Sequence, residues 1–384
     1  MKILMVGPDE VHTNRQVEWL LQRDCEVVFV TYQDPFPGAG RNYQFIRQRF
    51  VRGAKLYRKV LPPRWADHLI DAAFVAQYRW LWRRTSPDIV HVNWIGESAY
   101  YLARTGAKPL VLTVWGTDVN RHFSDKCDTR SRMMATASLA RASRIIVDSV
   151  DMTEKCTRLA GRPVQCEIVP LGIDTDKFCP GYREAASGWR KKLQIPDSAK
   201  VVVSIRAFTR LYSHDLILKA FGLAQRKLAG GSILVFRLYY HDPSDSYQQE
   251  IIKQAESFGV ARFIRWMPAV PYERMPEVYA LSDLLVNYPT MDAFPVSFIE
   301  AAACERAVVS CALPAYHGTF AENFFHMVPP GDEERLAEAM ADELQIESPE
   351  RSSKLARARR VVQRDYDETG SASKLLNLYQ RVLN

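Results

Sequence analysis

Residues 283–304 have the sequence DLLVNYPTMDAFPVSFIEAAAC, and this stretch decides the fold class. It begins with a short apolar run, 283–288, of the kind that forms a buried strand. A loop follows, and Pro295 suits the first position of a helix that continues to residue 304. A buried strand followed by a helix is the repeating unit of a parallel α/β sheet.

Eleven further apolar runs are separated by segments of helical length. They lie at 2–6, 26–31, 88–92, 109–114, 144–148, 166–169, 200–205, 232–238, 262–266, 306–310 and 326–328. The pattern predicts an α/β protein with two Rossmann-like, doubly wound domains, each binding ligands at the carboxyl ends of its strands. We expect the domains to face each other across a cleft. The predicted parts are 1–175, 176–365 and a closing amphipathic helix at 366–384.

Composition excludes several classes of protein. The chain has 384 residues, of which 47% are hydrophobic and 25% charged, a globular balance. No apolar run approaches the ~20 residues of a membrane span, and the N-terminus turns polar at Asp9, which favours a strand over a signal peptide. The seven cysteines include no CxxC pair, so we expect no disulfide framework and a cytoplasmic location.

Two carboxylates flank the predicted helix start. Asp292 lies on the loop before Pro295, and Glu300 follows Asp292 by eight residues. The free N–H groups of a first helical turn bind anions such as a diphosphate, and nearby carboxylates suit neighbouring hydroxyl groups. An ordinary capped helix with two surface carboxylates has the same spacing, so the spacing alone leaves both interpretations open.

This stretch resembles the acidic-x7-acidic signature of glycosyltransferase family 4, the retaining, nucleotide-sugar-dependent enzymes of the GT-B fold. The resemblance extends over nearly the whole chain. Further matching segments are 112–118 (LTVWGTD), 168–178 (IVPLGIDTDKF), 306–310 (RAVVS), Leu313-Pro314 and 328–332 (VPPGD). It implies that 1–175 is the acceptor domain, that 176–365 is the nucleotide-sugar donor domain, and that the closing helix returns to the first.

The resemblance also implies roles for individual residues. Asp292 would contact the donor sugar hydroxyls as a catalytic group, and Glu300 would bind the donor ribose. The backbone at Phe294, Pro295 and Val296 would contact the sugar and phosphate. An aspartate stands at 292 where the family usually has glutamate, so its reach is one methylene shorter.

The chain departs from the family at the diphosphate contacts and at the first loop. Tyr212 best matches the usual lysine, so we expect Arg206, as a catalytic group, and Arg210 to supply the cationic contact to the diphosphate. The glycine-rich opening after the first strand is replaced by 7–15 (GPDEVHTNR). Trp115 stands where the family has a histidine, and an indole can only donate a hydrogen bond.

The first domain is expected to receive the acceptor. Candidate acceptor-binding residues are His12 on the first loop, and Trp115 and Gly116 after a later strand. Asp118 follows them as a candidate catalytic contact, although a capping aspartate would have the same position. The Asp174-Thr175-Asp176 stretch matches a metal motif of another glycosyltransferase fold, but it lies at the domain boundary, so no metal is predicted.

The predicted function is metal-independent transfer of a sugar, with retention, from a nucleotide-sugar donor, with no other cofactor. The family is thought to let the departing phosphate help to deprotonate the acceptor. The acceptor would be a glycan or lipid-linked molecule in cell-surface or secreted polysaccharide synthesis. Two alternatives are a nucleotide-sugar epimerase of the same fold and a GT-B-like binding protein that has lost activity, the latter suggested by Trp115 and Tyr212.

The net charge of +7 is concentrated in the segment 41–64, which has eight basic residues and no acidic one. The basic residues are Arg41, Arg47, Arg49, Arg52, Lys55, Arg58, Lys59 and Arg64. Apolar residues between them, from Ile46 to Leu61, have the spacing of one helical stripe. A surface helix of the first domain is one interpretation. The other is contact with an anionic membrane surface, peripheral at the inner face. No nucleic-acid-binding motif accompanies the segment, so nucleic acid is not predicted as a partner.

Overall fold

The computed structural model describes residues 1–31, 44–47 (as backbone), 62–125, 127–228, 231–238, 245–346 and 348–384. The chain forms two compact units. The first unit consists of Met1–Leu171 together with Thr369–Asn384, and the second is Gly172–Glu368. The fold class is confirmed, since each unit is built on one parallel, doubly wound sheet.

The first unit contains a seven-stranded sheet with the order β3-β2-β1-β4-β5-β6-β7. Strand β1 therefore lies between β2 and β4, which is the point where the winding direction reverses. The strands are β1 Lys2–Val6, β2 Glu26–Thr31, β3 Gln44–Arg47, β4 Ile89–Asn93, β5 Leu110–Thr113, β6 Arg144–Val147 and β7 Cys166–Ile168.

Helices connect these strands and bury one face each against the sheet. They are α1 Val11–Leu21, α2 Pro63–Thr85, α3 Glu97–Thr105, α4 Thr117–Asn120, α5 Thr129–Arg141 and α6 Val150–Ala160. Two begin with side-chain caps, because Asp128 accepts from the backbone N–H of Ser131 and Ser149 accepts from that of Met152. Capping fixes where α5 and α6 leave their loops.

The second unit repeats the plan with a six-stranded sheet in the order β10-β9-β8-β11-β12-β13. Its reversal point lies between β8 and β11, so this edge is where a ligand of a doubly wound sheet is expected. The strands are β8 Lys200–Ser204, β9 Ser232–Arg237, β10 Ile264–Met267, β11 Leu284–Asn287, β12 Ala307–Cys311 and β13 His326–Val328.

The helices of the second unit cover its sheet. They are α7 Arg183–Lys192, α8 His214–Gln225, α9 Ser246–Ser257, α10 Met275–Leu281, α11 Val296–Ala303, α12 Phe320–Phe324, α13 Glu333–Gln345 and α14 Pro349–Asp365. Arg359 of α14 donates to the carbonyl oxygens of Phe178 at 2.9 Å and Thr175 at 3.2 Å, and also to that of Ala303. One guanidinium thus ties α14 to the segment that opens the unit.

The last helix, α15 (Glu368–Leu383), packs on the first unit. The Tyr379 hydroxyl lies 2.6 Å from His91 Nδ1, and Thr113 Oγ1 lies 2.7 Å from the other ring nitrogen. Both rings are buried, and this burial lowers the pKa of His91 to about 3. The neutral imidazole can donate through one nitrogen and accept through the other, so it bridges α15 and β5.

The helical interpretation of the segment 41–64 is wrong at residues 44–47, and residues 41–43 lie outside the described residues. Residues Gln44–Arg47 form strand β3, which pairs in parallel with β2 from Val28↔Gln44 to Thr31↔Arg47. Charged residues such as Arg47 are common on edge strands, where they discourage pairing with another chain. Residues 48–61 lie outside the described residues, and α2 begins at Pro63. Within the described parts of the chain, no helix is long and apolar enough to cross a bilayer.

Candidate active site

The central strands β8 and β11 bring two predicted site residues to one edge of the second sheet. The strands pair in parallel, with Leu284 opposite Val202 and Leu285 opposite Val203. Arg206 follows the end of β8, and Asp292 lies on the loop after β11. Because parallel strands end at the same edge, the two side chains reach each other over the reversal point.

Arg206 and Asp292 form an ion pair that is largely shielded from solvent. The Arg206 Nη2 donates to Asp292 Oδ1 at 3.0 Å, and the two side chains are 16% and 11% exposed. Removing a charge of such a pair leaves the other unpaired in a poorly solvated place, which costs far more than losing a surface ion pair. Each charge therefore has to be compensated, either by its partner in the pair or by a ligand group that has the partner's sign.

Tyr212 and Ser297 complete the surroundings of Arg206. The guanidinium lies over the Tyr212 ring, 4.4 Å from its centroid, and donates to the Tyr212 hydroxyl at 2.7 Å. Its other nitrogen, Nη1, donates to Ser297 Oγ at 3.4 Å. Burial disfavours the charged form, but Asp292 and the Tyr212 and Tyr316 hydroxyls outweigh it and raise the pKa of Arg206. Arg206 is therefore a fixed cation.

Asp292 is held by groups from three loops. Its Oδ2 accepts from the Tyr316 hydroxyl at 3.0 Å, and its Oδ1 also accepts from the backbone N–H of Ala293 at 3.1 Å. Burial raises the pKa of Asp292, and Arg206, Tyr316 and Ala293 offset part of that rise. The Tyr316 hydroxyl in turn accepts from Asn287 Nδ2 at 3.3 Å, which links the carboxylate to the end of β11.

Sequence reasoning missed Tyr316, Ser297 and Asn287. Tyr316 lies in a short 3-10 turn, Pro314–Tyr316, that follows β12, the strand next to β11. The signal was present, since residues after the ends of neighbouring strands converge. The Leu313-Pro314 match to the family ends two residues before Tyr316, at the same turn.

The helix start at α11 differs by one residue from the prediction. Pro295 is the N-cap, in an extended conformation with φ −78° and ψ 133°, and Val296 is the first helical residue. Pro295 had been placed at the first helical position. The Phe294 ring packs against Phe320 and Phe298, at 5.7 and 6.2 Å between centroids, so only its backbone is available to a ligand.

Glu300 is buried inside α11, with 5% of the residue exposed. The Tyr279 hydroxyl of α10 donates to Glu300 Oε2, and burial next to this carboxylate raises the pKa of Tyr279. The structure thus places Glu300 against α10. Its predicted contact with a ribose requires the carboxylate to serve both Tyr279 and the ligand.

Arg210 lies away from the ion pair that was predicted to share its ligand. Its side chain is 68% exposed, pairs with Glu250 of α9 and lies over the Tyr247 ring at 4.8 Å. The Glu250 pairing raises the pKa of Arg210. The predicted pair of diphosphate-binding arginines is therefore not assembled here; the structure combines Arg206 with Tyr212 instead.

His214, the first residue of α8, lies in an aromatic box behind Tyr212. Its ring centroid is 4.3 Å from that of Phe208, 5.4 Å from Phe236 and 6.1 Å from Tyr247. Burial lowers the pKa of His214 to about 4, and the backbone of Thr209 offsets only part of this effect. The imidazole is therefore neutral at physiological pH and supports the site from inside the core.

In the first unit, Asp118 joins two loops. Its Oδ2 accepts from the backbone N–H of Ile95, after β4, at 2.8 Å, and its Oδ1 accepts from that of Trp115, after β5, at 3.0 Å. Asp118 has no exposed surface, and burial raises its pKa to about 6 despite these bonds. Asp118 was predicted as a catalytic contact; in this structure the enclosed carboxylate holds the two loops together, and its catalytic role stays a prediction.

His12, Trp115 and Gly116 lie close together, as expected of acceptor contacts. The His12 and Trp115 rings stack, with centroids 5.2 Å apart and planes at 27°. Gly116 has φ 98°, a conformation that other residues rarely adopt, and it caps α4. Gly7, after β1, is also constrained by space, since a Cβ there would lie 2.8 Å from Asn93 Cβ.

The Asp174-Thr175-Asp176 stretch forms a turn. Asp174 Oδ1 accepts from the backbone N–H groups of Asp176 and Lys177, at 3.0 and 2.9 Å, and Thr175 donates to Asp367. No group of three or more His, Cys, Asp or Glu side chains that could hold a metal ion occurs among the described residues. The predicted absence of a metal stays a prediction.

Two protein families match the chain. Residues 10–172 match the glycosyl transferase 4-like domain, and residues 187–361 match the glycosyl transferases group 1. A D-inositol 3-phosphate glycosyltransferase of Geodermatophilus obscurus is 28% identical over 240 residues, which are 59% of this chain and 52% of that protein. A protein of the same name from Actinosynnema mirum is 27% identical over 59% of this chain and 56% of its own length. The chain spans about half the length of the curated relatives it matches.

Solved structures share the fold over the full chain. A glycosyltransferase of Rickettsia africae has a TM-score of 0.78 and 14% identity, covering 100% of this chain and 98% of its own. Sucrose-phosphate synthase of Thermosynechococcus elongatus has a TM-score of 0.77 and 18% identity, covering 99% and 98%. Anabaena HepE in complex with UDP and glucose has a TM-score of 0.76 and 16% identity, covering 99% and 100%. At these identities the likeness shows the fold alone.

Proposed function

Since this chain belongs to glycosyltransferase family 4 and has the GT-B type of fold, we propose that it transfers a sugar, with retention, from a nucleotide-sugar donor. The observation that carries the proposal is the Arg206–Asp292 pair at the reversal point of the second sheet. A fixed cation aimed at a departing diphosphate is the largest rate term available to such a site. HepE is described in complex with UDP-glucose, which supports the class of donor.

Arg206 would act on the diphosphate. Its guanidinium is already oriented by Tyr212 and Ser297, so it needs no rearrangement to meet the charge that develops on the leaving group. The N–H groups at Val296 and Ser297, the first turn of α11, would contribute partial positive charge to the same anion. No metal ion is needed in this scheme, because the protein supplies the positive charge.

Asp292 would accept hydrogen bonds from the hydroxyl groups of the donor sugar, and Glu300 would contact the ribose. Asp292 would hold Arg206 in place before the donor binds. The incoming diphosphate would then take over part of the pairing with the guanidinium. The backbone at Phe294, Pro295 and Val296 would border the sugar and phosphate. Phe294 anchors this loop through its packed ring.

The first unit would receive the acceptor. His12, Trp115 and Gly116 would line the acceptor side, on loops that Asp118 holds together. The proposed acceptor is a glycan or lipid-linked molecule used in cell-surface or secreted polysaccharide synthesis. The basic segment 41–64 supports a peripheral position at the inner membrane face of a cytoplasmic protein.

The test is a donor screen followed by product analysis. Calorimetry with a panel of nucleotide sugars should find one or a few that bind, and the bound donor should be hydrolysed slowly without an acceptor. Release of the sugar with retained configuration, in buffer containing a metal chelator, supports the proposal. Isomerised nucleotide sugar would instead identify an epimerase. Absence of both binding and turnover would identify a GT-B-like protein that has lost activity.

A further inference from the structure

The outward face of α2 exposes large apolar side chains. Trp65, Leu69 and Trp80 are 67%, 49% and 59% exposed, and Ala72 and Ala76 between them are also exposed. Exposed tryptophans are uncommon on a protein surface, and a continuous exposed apolar patch usually marks an interaction site.

These side chains form one stripe along the helix. At 100° per residue, the five positions fall within an arc of about 80°, and Trp65 and Trp80 are about 22 Å apart along the axis. The opposite side of α2 is buried in the first unit by Ile70, Phe74 and Tyr78. The stripe is therefore not part of the core, and it lies on an element that the core holds rigidly.

The charges of α2 are divided between the same two sides. Asp71 is buried, pairs with Arg130 at 2.6 Å and accepts from the Tyr101 hydroxyl at 3.0 Å. From Trp65 to Thr85, the charged side chains that are exposed are Arg79, Arg83 and Arg84. Asp71 is used inside the protein, and the exposed charges of the helix are cations near the C-terminal end of the apolar stripe.

Trp80 and Arg84 are in contact, with the guanidinium 5.3 Å from the centroid of the Trp80 ring. Such a pair presents an apolar ring and a cation side by side. Tryptophan prefers the boundary between hydrocarbon and headgroups, and arginine binds phosphate in a bidentate manner. Both halves of the pair suit the same boundary.

We propose that this α2 face, formed by Trp65, Leu69, Ala72, Ala76 and Trp80 with Arg79, Arg83 and Arg84, docks on the surface of a bilayer that contains anionic lipids. The rings and Leu69 would enter the headgroup boundary, and the arginines would pair with lipid phosphates. A second copy of this chain is a poorer occupant, because its own α2 face, from Trp65 to Thr85, has no exposed carboxylate to pair with these arginines. Docking needs no catalysis, so this inference stands apart from the transfer reaction.

The experiment is co-sedimentation of the full chain with vesicles of phosphatidylcholine alone or with phosphatidylglycerol, at low and high salt. Trp65→Ser/Trp80→Ser should weaken binding to the anionic vesicles by about tenfold or more, because two interfacial rings are removed. Arg83→Glu/Arg84→Glu should weaken it by about 10²-fold and reduce the salt dependence. Tryptophan fluorescence should shift to the blue on binding in the wild type.

Matched controls lie on the second unit. Phe258→Ser removes an aromatic ring that is 45% exposed, and Arg357→Glu/Arg360→Glu reverses two exposed helical arginines of α14. Both should bind vesicles within about twofold of the wild type, because neither changes the α2 face. All variants should keep the wild-type circular dichroism spectrum.

Three results would overturn the proposal. They are equal binding to both kinds of vesicle, α2-face variants that behave like the controls, and a dimer in solution that the α2-face variants abolish. Nucleotide-sugar binding, measured by calorimetry without vesicles, should be the same in the α2-face variants and the wild type. Failure of the wild type to bind any donor would count against the proposed transferase while leaving the vesicle result intact.

Discussion

Each unit places a carboxylate after the end of a central strand, yet Asp292 and Asp118 have opposite surroundings. Asp292 accepts from side chains of other loops, Arg206 and Tyr316, and from one neighbouring N–H. The observed partners of the two Asp118 oxygens are both backbone N–H groups, those of Ile95 and Trp115. Asp292 thus connects side chains from different loops, whereas Asp118 connects the backbones of two loops.

The difference shows which carboxylate can serve a ligand. A side-chain partner such as Arg206 can share its N–H groups between Asp292 and a diphosphate without unfolding the loop that carries it. A backbone N–H that loses its acceptor stays buried and unsatisfied, which costs about 1–3 kcal/mol. We therefore expect Asp118 to serve the fold and Asp292 to serve the chemistry.

The largest expected effect comes from removing the cation of the second unit. Arg206→Ala should lower kcat/KM by about 10³-fold, since the fixed positive charge at the leaving group is lost and Asp292 is left unpaired. Calorimetry should show that a nucleoside diphosphate loses more affinity than the nucleoside does. Equal losses for both ligands would mean that Arg206 only holds the fold.

Arg210→Ala is the matched control for that experiment. Arg210 is exposed and paired with Glu250, outside the cluster around Asp292. Its loss should therefore change kcat/KM by no more than about threefold, as expected for a surface position. A loss as large as that of Arg206→Ala would show that Arg210 moves to the diphosphate when the donor binds.

The second prediction compares the two carboxylates by the same substitution. Asp292→Asn should reduce kcat by about 10²-fold with little loss of fold, because the amide keeps one acceptor but neither the charge nor the second oxygen. Asp118→Asn should reduce kcat by no more than about tenfold, and its main cost should appear in denaturant unfolding. A larger loss of kcat for Asp118→Asn than for Asp292→Asn would contradict the roles expected of the two carboxylates.

The sequence could predict the features that depend on residue type and spacing. The apolar runs predicted two doubly wound sheets, because buried parallel strands need continuous hydrophobic residues. Strand β3 was missed, since Gln44–Arg47 is a polar edge strand without that signature. The acidic-x7-acidic spacing located Asp292, and strand adjacency could have added Tyr316.

Other features could not be predicted, because they depend on tertiary distances. Whether Asp118 faces a ligand or two backbone N–H groups is decided by how near β4 and β5 bring Ile95 and Trp115. Whether Arg210 joins Arg206 is decided by Glu250, which is 40 residues away in sequence. Residue type and spacing do not contain these distances.

The third prediction concerns pH and the first unit. The pKa of Asp118 is about 6 in the folded chain against a usual 3.8, so the folded state binds its proton more tightly than the unfolded state does. Its contribution to stability is complete below about pH 4 and is lost as the pH rises through 6. The difference in free energy of unfolding, wild type minus Asp118→Asn, should be larger at pH 4.5 than at pH 8 by about 2 kcal/mol. Urea unfolding at both pH values measures it, and a difference that does not change with pH would contradict the burial argument.

The smallest expected effect has the opposite sign and concerns the second unit. The pKa of His214 is lowered to about 4 from its usual 6.5. Between these two pH values the unfolded state therefore binds a proton that the folded state does not bind. Its contribution to stability is complete above about pH 7 and is lost as the pH falls toward 4. His214→Phe fits the surrounding rings and cannot titrate, so the free energy of unfolding of the variant should rise by about 1 kcal/mol relative to that of the wild type between pH 8 and pH 5.5.

His68→Phe, on the exposed side of α2, is the control and should show no such gain. His91, whose pKa is also lowered, remains in both proteins and cancels in the comparison. If His214→Phe gains nothing at pH 5.5, the imidazole accepts its proton inside the folded unit, and Asp118 and His214 would no longer form an opposed pair.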